Sequence, residues 1–356
     1  MTQRTTNASS GLRFEIHEFD EVTSTNDIVK QAALDGAPEG FVACARKQTA
    51  GYGRRGNSWQ SEPGSLYMSL LLRPRESVEF APSAASAEFA TNAESESIRP
   101  APSIDKSNQS VSIGPSIQTL PLVVAIAVRR ALASLLPASV AESIMMKWPN
   151  DIVVDRRACG DGDTPHLFNK LCGISCELKH GAVCIGIGVN VEAPEPSELS
   201  VLSKSGKFIG TDGDAESLSA PNFVEEGQRN RPTYLSELAP AADCPKIEQV
   251  RDAVLNSFAS VYEEWSLNGF APFRSECECH MALLGQQVKI EEALVVKVFP
   301  QGEVAVATPS TAATMSTCCV PCCIINGIDD EGKLFVSECE TGEELEVIAG
   351  RVIREH

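Results

Sequence analysis

The stretch QTAGYGRRGNSW, Gln48 to Trp59, decides how the chain is read. It holds G-x-G-x-x-G at Gly51, Gly53 and Gly56, the pattern of a dinucleotide-binding turn. Such a turn needs a helix after the third glycine and an acid about 20 residues further on. Here the segment runs through Pro63-Gly64 into SLYMSLLLR (Ser65 to Arg73), which reads as a strand, so a dinucleotide fold is set aside. What stays is a loop between that strand and FVACAR (Phe41 to Arg46). Its glycine backbone can come close to a ligand. Arg54 and Arg55 can pair with phosphate or carboxylate oxygens; an exposed basic hairpin is the alternative.

Working outward, RFEIHEF (Arg13 to Phe19) alternates as a strand, and residues 1–11 read as a disordered lead. Ser24-Thr25-Asn26-Asp27 offers helix caps ahead of Ile28, Ala32 and Leu34, with Gly36 as a stop. Residues 76–118 hold 10 Ser, 7 Ala and 4 Pro with little apolar period, and read as a disordered insertion. LPLVVAIAVRRALASLLP then reads as a buried helix. Short strands follow between Ile144 and Val191, and residues 192–232 form a second polar insertion. Helices are expected around Tyr234–Leu238 and Ile247–Leu267. From about Gly285 onward only short strands appear, which suggests a small β-barrel.

The chain has 356 residues, 30 Lys+Arg against 48 Asp+Glu, and a net charge of −18. That excludes a nucleic-acid binder working by overall basicity. The acid is unevenly placed: residues 324–356 alone carry 9 acids and 3 bases, whereas no acid lies between Glu39 and Glu62, where Arg46, Lys47, Arg54 and Arg55 fall. The longest apolar run, Leu120 to Val128, is too short to span a bilayer. The polar N-terminus has no apolar signal core. Cys44, Cys172, Cys176 and Cys184 sit in apolar runs and read as buried thiols of a reducing, cytoplasmic setting.

Four further features could carry chemistry. Lys147-Trp148-Pro149-Asn150-Asp151 ends an apolar strand, with Asn150 and Asp151 at a turn where Asx residues also cap backbone. Lys170 opens KLCGISCE, with its ammonium at the mouth of a sheet or merely at a strand edge. Gly186-Ile187-Gly188-Val189-Asn190 alternates glycine in a strand, so something packs close to that backbone. Cys318-Cys319-Val320-Pro321-Cys322-Cys323 has C-x-x-C spacing; Cys277, Cys279 and His280 would have to complete a metal site, and a cysteine-rich insertion near residues 308–323 is the plainer reading.

In this order and spacing the motifs resemble one family, the biotin–protein ligases. The resemblance rests on Ser24-Thr25-Asn26, Q-T-A-G-x-G-R-x-G-x-x-W (Gln48 to Trp59), K-W-P-N-D (Lys147 to Asp151), K-L-x-G-I-x-x-E (Lys170 to Glu177) and G-I-G-x-N (Gly186 to Asn190), and continues through Gly269-Phe270 and Gly327-Ile328-Asp329. It implies an α+β fold: a mixed sheet with packed helices, as in class II synthetases, over residues 12–280, and a small SH3-like barrel over 281–356. It implies an ATP-dependent ligase that makes biotinyl-5′-AMP, with Mg²⁺, and passes biotin to one lysine of a biotin carboxyl carrier protein. No protein-held metal site is implied.

By the same resemblance, Arg54, Lys170, Lys147 and Asp151 would serve catalysis. Ser24, Thr25, Asn26, Gln48, Tyr52, Gly53, Arg54 and Lys170 would bind biotin. Arg54, Arg55, Trp59, Asn150, Lys170, Gly188 and Asn190 would bind ATP and the adenylate, with Trp59 stacking on adenine. Tyr52 stands where the family often has a basic residue; it can hydrogen-bond a carboxylate but brings no charge. The helix-turn-helix of repressor-type members is missing, so no DNA binding is expected; no membrane is expected either, and a homodimer is compatible with the family. Same-fold alternatives are a lipoate ligase or octanoyl transferase; a non-catalytic biotin sensor is the alternative of another class.

Overall fold

The computed structural model describes residues 2–7, 11–54, 58–59, 61, 63–74, 116–157, 168–194, 232–240, 242–297 and 318–354. In chain order the first elements are β1 (Thr2–Asn7), β2 (Arg13–Val22), α1 (Thr25–Leu34), β3 (Phe41–Gln48) and β4 (Ser65–Leu72). Then come α2 (Leu120–Leu135), α3 (Ala138–Ala141), β5 (Ile144–Lys147), β6 (Asp151–Asp155), β7 (Phe168–Lys179) and β8 (Ala182–Asn190). The C-terminal third holds α4 (Leu235–Leu238), α5 (Ile247–Asn268), α6 (Arg274–Cys279), β9 (Gln287–Lys297), β10 (Cys318–Ile328), β11 (Leu334–Glu338) and β12 (Glu344–Arg354).

Strands β1 to β8 form one sheet in the order β1-β2-β3-β4-β8-β7-β6-β5. Only β2 and β3 run parallel, and α1 makes the crossover that a parallel pair requires. All eight residues of β4 are buried, because α1 covers one face of the central strands and α2 with α5 cover the other. Helix α1 buries Val29 and Ala33 and stops where Gly36 turns to φ +80°. With its preceding 3-10 turn, α2 is apolar enough to cross a membrane by composition (mean hydropathy 1.4 over Ile117–Leu135). It packs instead as a core helix, tied to α5 by Trp265 Nε1 donating to Thr119 Oγ1 at 2.9 Å.

Strands β9 to β12 close into a four-stranded barrel, β10-β11-β12-β9, consistent with an SH3-like domain. Its apolar interior, including Ile290, Val336 and Val347, is continuous with the core of the sheet domain. Trp148 Nε1 donates to Gly332 O at 3.1 Å in the β10–β11 turn. A Cβ on Gly332 would lie 2.9 Å from Leu122 Cδ1 of α2. Glu278 of α6 accepts from Ile328 N at 3.2 Å. The barrel is therefore locked to the sheet beside the Lys147–Asp151 turn.

Two expectations change. The lead read as disordered forms β1, antiparallel to β2; Thr2, Thr5 and Thr6 suit a strand, and the exposed edge of β2 supplies the ladder. The cysteine-rich run is not an insertion from Cys318 onward but lies within β10, and Cys322 is disulfide-bonded to Cys339. Among the described residues no group of three or more His, Cys, Asp or Glu side chains could hold a metal ion. Residues 308–317 and nearly all of the expected insertions at 76–118 and 192–232 lie outside the described residues. The thiols of Cys44 and Cys184 are buried and unbridged, and burial raises their pKa to about 12 and about 11.

Candidate active site

The site is built on two rows of side chains that cross the sheet on one face. Register pairs Ser69 with Gly186 and Gly186 with Ser175; one pair further along, Tyr67 meets Gly188, Gly188 meets Gly173, and Gly173 meets Asp151. The glycines clear the face. A Cβ on Gly186 would fall on Asn26 Oδ1 and lie 2.6 Å from Ser175 Oγ; a Cβ on Gly188 would lie 2.9 Å from Trp59 Cε2. The alternating glycines therefore mark close approach, as the sequence suggested, and the groups that approach are Asn26 and the Trp59 indole.

One end of the cleft is polar and uncharged. Gln48 Oε1 accepts from Thr25 N at 2.8 Å and Thr25 Oγ1 at 3.1 Å, while Gln48 Nε2 donates to Ser61 Oγ at 2.9 Å. Asn26 Nδ2 donates to Ser175 Oγ at 3.3 Å, and Ser69 Oγ lies 2.7 Å from Asn26 Oδ1 and 2.8 Å from Thr25 Oγ1. Thr25, Asn26, Ser69 and Ser175 are all buried. Buried amides and hydroxyls persist only when partnered, so this network is preorganised.

The other end is cationic. Lys170 Nζ is 2.8 Å from Asp151 Oδ1 and 5.1 Å from the centre of the Trp59 ring. Arg54 Nη1 donates to Asn150 Oδ1 at 3.1 Å, and Asn150 Nδ2 donates to Ile174 O at 2.5 Å. Burial pulls the Lys147 pKa below the usual lysine value; Asp151 opposes this, and Lys170 and Arg351 add to it. The indole Nε1 of Trp59 is buried and meets no acceptor among the described residues.

Thr25, Asn26, Gln48, Tyr52, Gly53, Arg54, Trp59, Asn150, Lys170 and Gly188, each singled out from sequence, line this one cleft. Asp151 joins it through Lys170. Ser24 is buried and is not among the lining residues, Lys147 stands opposite Asp151 in the β5–β6 register and is not among them either, and Arg55 lies outside the described residues. Asn190 Nδ2 donates to Lys170 O (3.2 Å) and Thr233 O (3.1 Å), so its amide braces the strand carrying Lys170. Sequence reasoning missed Ser69, Ser175 and Gly173; the signal for Ser69 was a serine in the middle of a largely apolar strand, between Met68 and Leu70.

The cleft holds only about 60 Å³, far below the ~300 Å³ or more of an occupied small-molecule pocket. A larger cavity, about 490 Å³, lies elsewhere, between β2, β3 and the start of α5. Its buried Arg251 is already spent on Glu18 and Asp252, and none of the motif residues line it.

The mixed sheet thus carries a glycine-floored cleft that is neutral at one end and cationic at the other. The biotin/lipoate A/B protein ligase family model matches residues 18–191, just under half of the chain. The bifunctional ligase/repressors BirA of Bacillus spizizenii and Bacillus subtilis are 27% and 28% identical to it over 195 residues, 52% of this chain. That match spans 44% of each relative's length. The biotin protein ligase of Aquifex aeolicus, solved with biotin and ATP, is similar with a TM-score of 0.56 at 20% identity, covering 96% of this chain and 99% of that one. Its R40G mutant, solved with biotin, gives the same score and identity, covering 96% and 98%. At that identity the structures speak for the fold.

Proposed function

We propose that this chain is a biotin protein ligase that activates biotin with ATP and transfers the biotinyl group to one lysine of a biotin carboxyl carrier protein. The observation that carries this reading is the two-ended cleft. A ureido ring offers one carbonyl and two N–H groups, and the Thr25, Asn26, Gln48, Ser69 and Ser175 end offers matching neutral donors and acceptors. A lipoyl or octanoyl chain would offer these groups no hydrogen bond in addition to those they make with one another. That favours biotin over the other acids of the family.

At the cationic end the biotin carboxylate oxygen attacks the α-phosphorus of ATP and pyrophosphate leaves. Two anions must meet, so stabilising charge at the phosphorus is the main task. Arg54 and Lys170 would supply it, with Lys147, opposite Asp151, adding field. Trp59 is the flat surface for the purine over Gly173 and Gly188. Mg²⁺ would arrive on the phosphates, which suits a site with few carboxylates, Asp151 being the one at hand. In the second step the neutral lysine amine attacks the acyl carbon and AMP leaves. Asp151, paired with Lys170, would orient that amine.

The test is intact-mass analysis of a carrier domain incubated with the chain, biotin, Mg²⁺ and ATP. One biotinyl group on one lysine is expected. Addition of lipoyl or octanoyl in preference to biotin overturns the reading.

A further inference from the structure

Cys322 and Cys339 are joined on the outer surface of the barrel. Cys339 is exposed and Cys322 half-buried, whereas the unbridged thiols of Cys44, Cys172 and Cys184 are buried. A bulge in β10 puts the disulfide there. From Val320 to Cys323 the strand advances three residues while its partner β9 advances two, Ile290 to Val288. Val320 and Cys323 are therefore both buried, with Pro321 and Cys322 between them toward the outside. Pro321 has no N–H to give to a ladder. The β10–β11 ladder begins only at Cys323 and Glu338. One position beyond it, among the described residues, the strands are joined by the disulfide and by Cys339 N donating to Cys322 O at 3.1 Å. Gln287 Nε2, at the start of β9, donates to Cys322 Sγ at 3.0 Å. The other end of the same hairpin, at Gly332, holds Trp148.

We propose that Cys322–Cys339 is a thiol–disulfide exchange site, a clasp on the barrel that a dithiol reductant opens and a small disulfide oxidant closes. It shares no residue with the ligase cleft, so the two readings stand or fall separately. Exposed disulfides are the labile ones, and this one stands where the ladder has ended. In the opening step a thiolate of the dithiol attacks the sulfur of Cys339, the more exposed partner. The S–S bond breaks, and the Cys322 sulfur leaves with the electron pair and takes a proton. The dithiol's second thiolate then displaces the Cys339 sulfur, which takes a proton in turn. Two electrons and two protons pass to the chain, and the dithiol becomes a disulfide. Closing runs the same exchange backwards, with a low-molecular-weight disulfide as the oxidant that is reduced. Burial raises the pKa of the Cys44 and Cys172 thiols and keeps them protonated, so they take no part.

Two measurements on the full chain test this, with dithiothreitol as the dithiol and glutathione disulfide as the oxidant. The first is peptide mapping after labelling without denaturant. Air-oxidised chain should give a linked Cys322–Cys339 peptide. Dithiothreitol should open it, so that iodoacetamide labels both cysteines while Cys44 and Cys172 stay unlabelled, and glutathione disulfide should restore the link. The second is hydrogen exchange of the amides at 338–342. The two cysteines are 17 residues apart, and closing a loop of that size constrains the opened chain by an amount worth about a hundredfold. Reduction should therefore quicken exchange there about ten- to hundredfold. The double variant Cys322→Ser, Cys339→Ser should exchange at the fast rate with or without dithiothreitol. A link that opens only in denaturant, a link from Cys339 to Cys318 or Cys319 instead, or exchange unchanged by reduction overturns the proposal.

Discussion

Gly173→Ala probes the floor of the cleft with a single methyl group. The new Cβ would lie 2.7 Å from Trp59 Cζ3, 3.1 Å from Cη2 and 3.2 Å from Lys170 Cε. Carbons pack at ~3.5–4.0 Å, so the indole must rise by about 1 Å. Overpacking against fixed neighbours costs ~1–3 kcal/mol; Trp59 is half-buried on a loop, so the lower part of that range, ~1–2 kcal/mol, applies here. At ~1.4 kcal/mol per tenfold, the affinity for a flat ring on this floor should fall about 5- to 30-fold. The KM for ATP should rise by that factor, and the KM for biotin, set at the Gly186 end, should change little. The chain has three tryptophans, and Trp148 and Trp265 are buried at 5% and 1% exposure, so a shift in emission reports Trp59. In a Trp59→Ala background the added methyl should have almost no further effect. An unchanged emission spectrum together with an unchanged KM for ATP, or strict additivity of the two substitutions, would refute the reasoning.

Trp148→Phe removes the indole donor to Gly332 O and should cost ~0.5–1.5 kcal/mol, read as a lower urea midpoint; an unchanged midpoint would show that the bond does not hold the barrel. Glu291 is held at about 2, against an ordinary 4.5, by its bond to Arg351 and then by Lys289. Its folded pKa is depressed, so its contribution is full above about pH 4.5 and fades as pH falls toward 2. Glu291→Gln should flatten that part of the stability profile. Salt should shrink the difference, because the partner Arg351 is exposed.

What was legible in the sequence was local chemistry. The glycine/arginine loop, the Lys147–Asp151 turn and Lys170 each carry their residue types within a few positions, so their content survives without a fold. The Gly186–Gly188 alternation showed that something approaches the strand but not what, since Asn26 and Trp59 reach it only once α1 and the loop fold back. The Ser69–Gly186–Ser175 row was hidden because it is assembled from three strands whose register no single segment encodes. Strand β1 was missed because a polar edge strand lacks the apolar alternation that marks half-buried strands. That the Tyr52 hydroxyl bonds Asp27 and Lys30 was missed for a related reason: both look like the solvated face of α1 until Tyr52 returns over it.

The central claim is that this cleft activates biotin with ATP. The most direct measurement is exchange of labelled pyrophosphate into ATP by the purified chain with Mg²⁺, run with biotin, lipoate, octanoate or no acid. Exchange that depends on biotin, and is much weaker with lipoate or octanoate, is the predicted result. Exchange that needs no biotin, or none at all with it, would contradict the account.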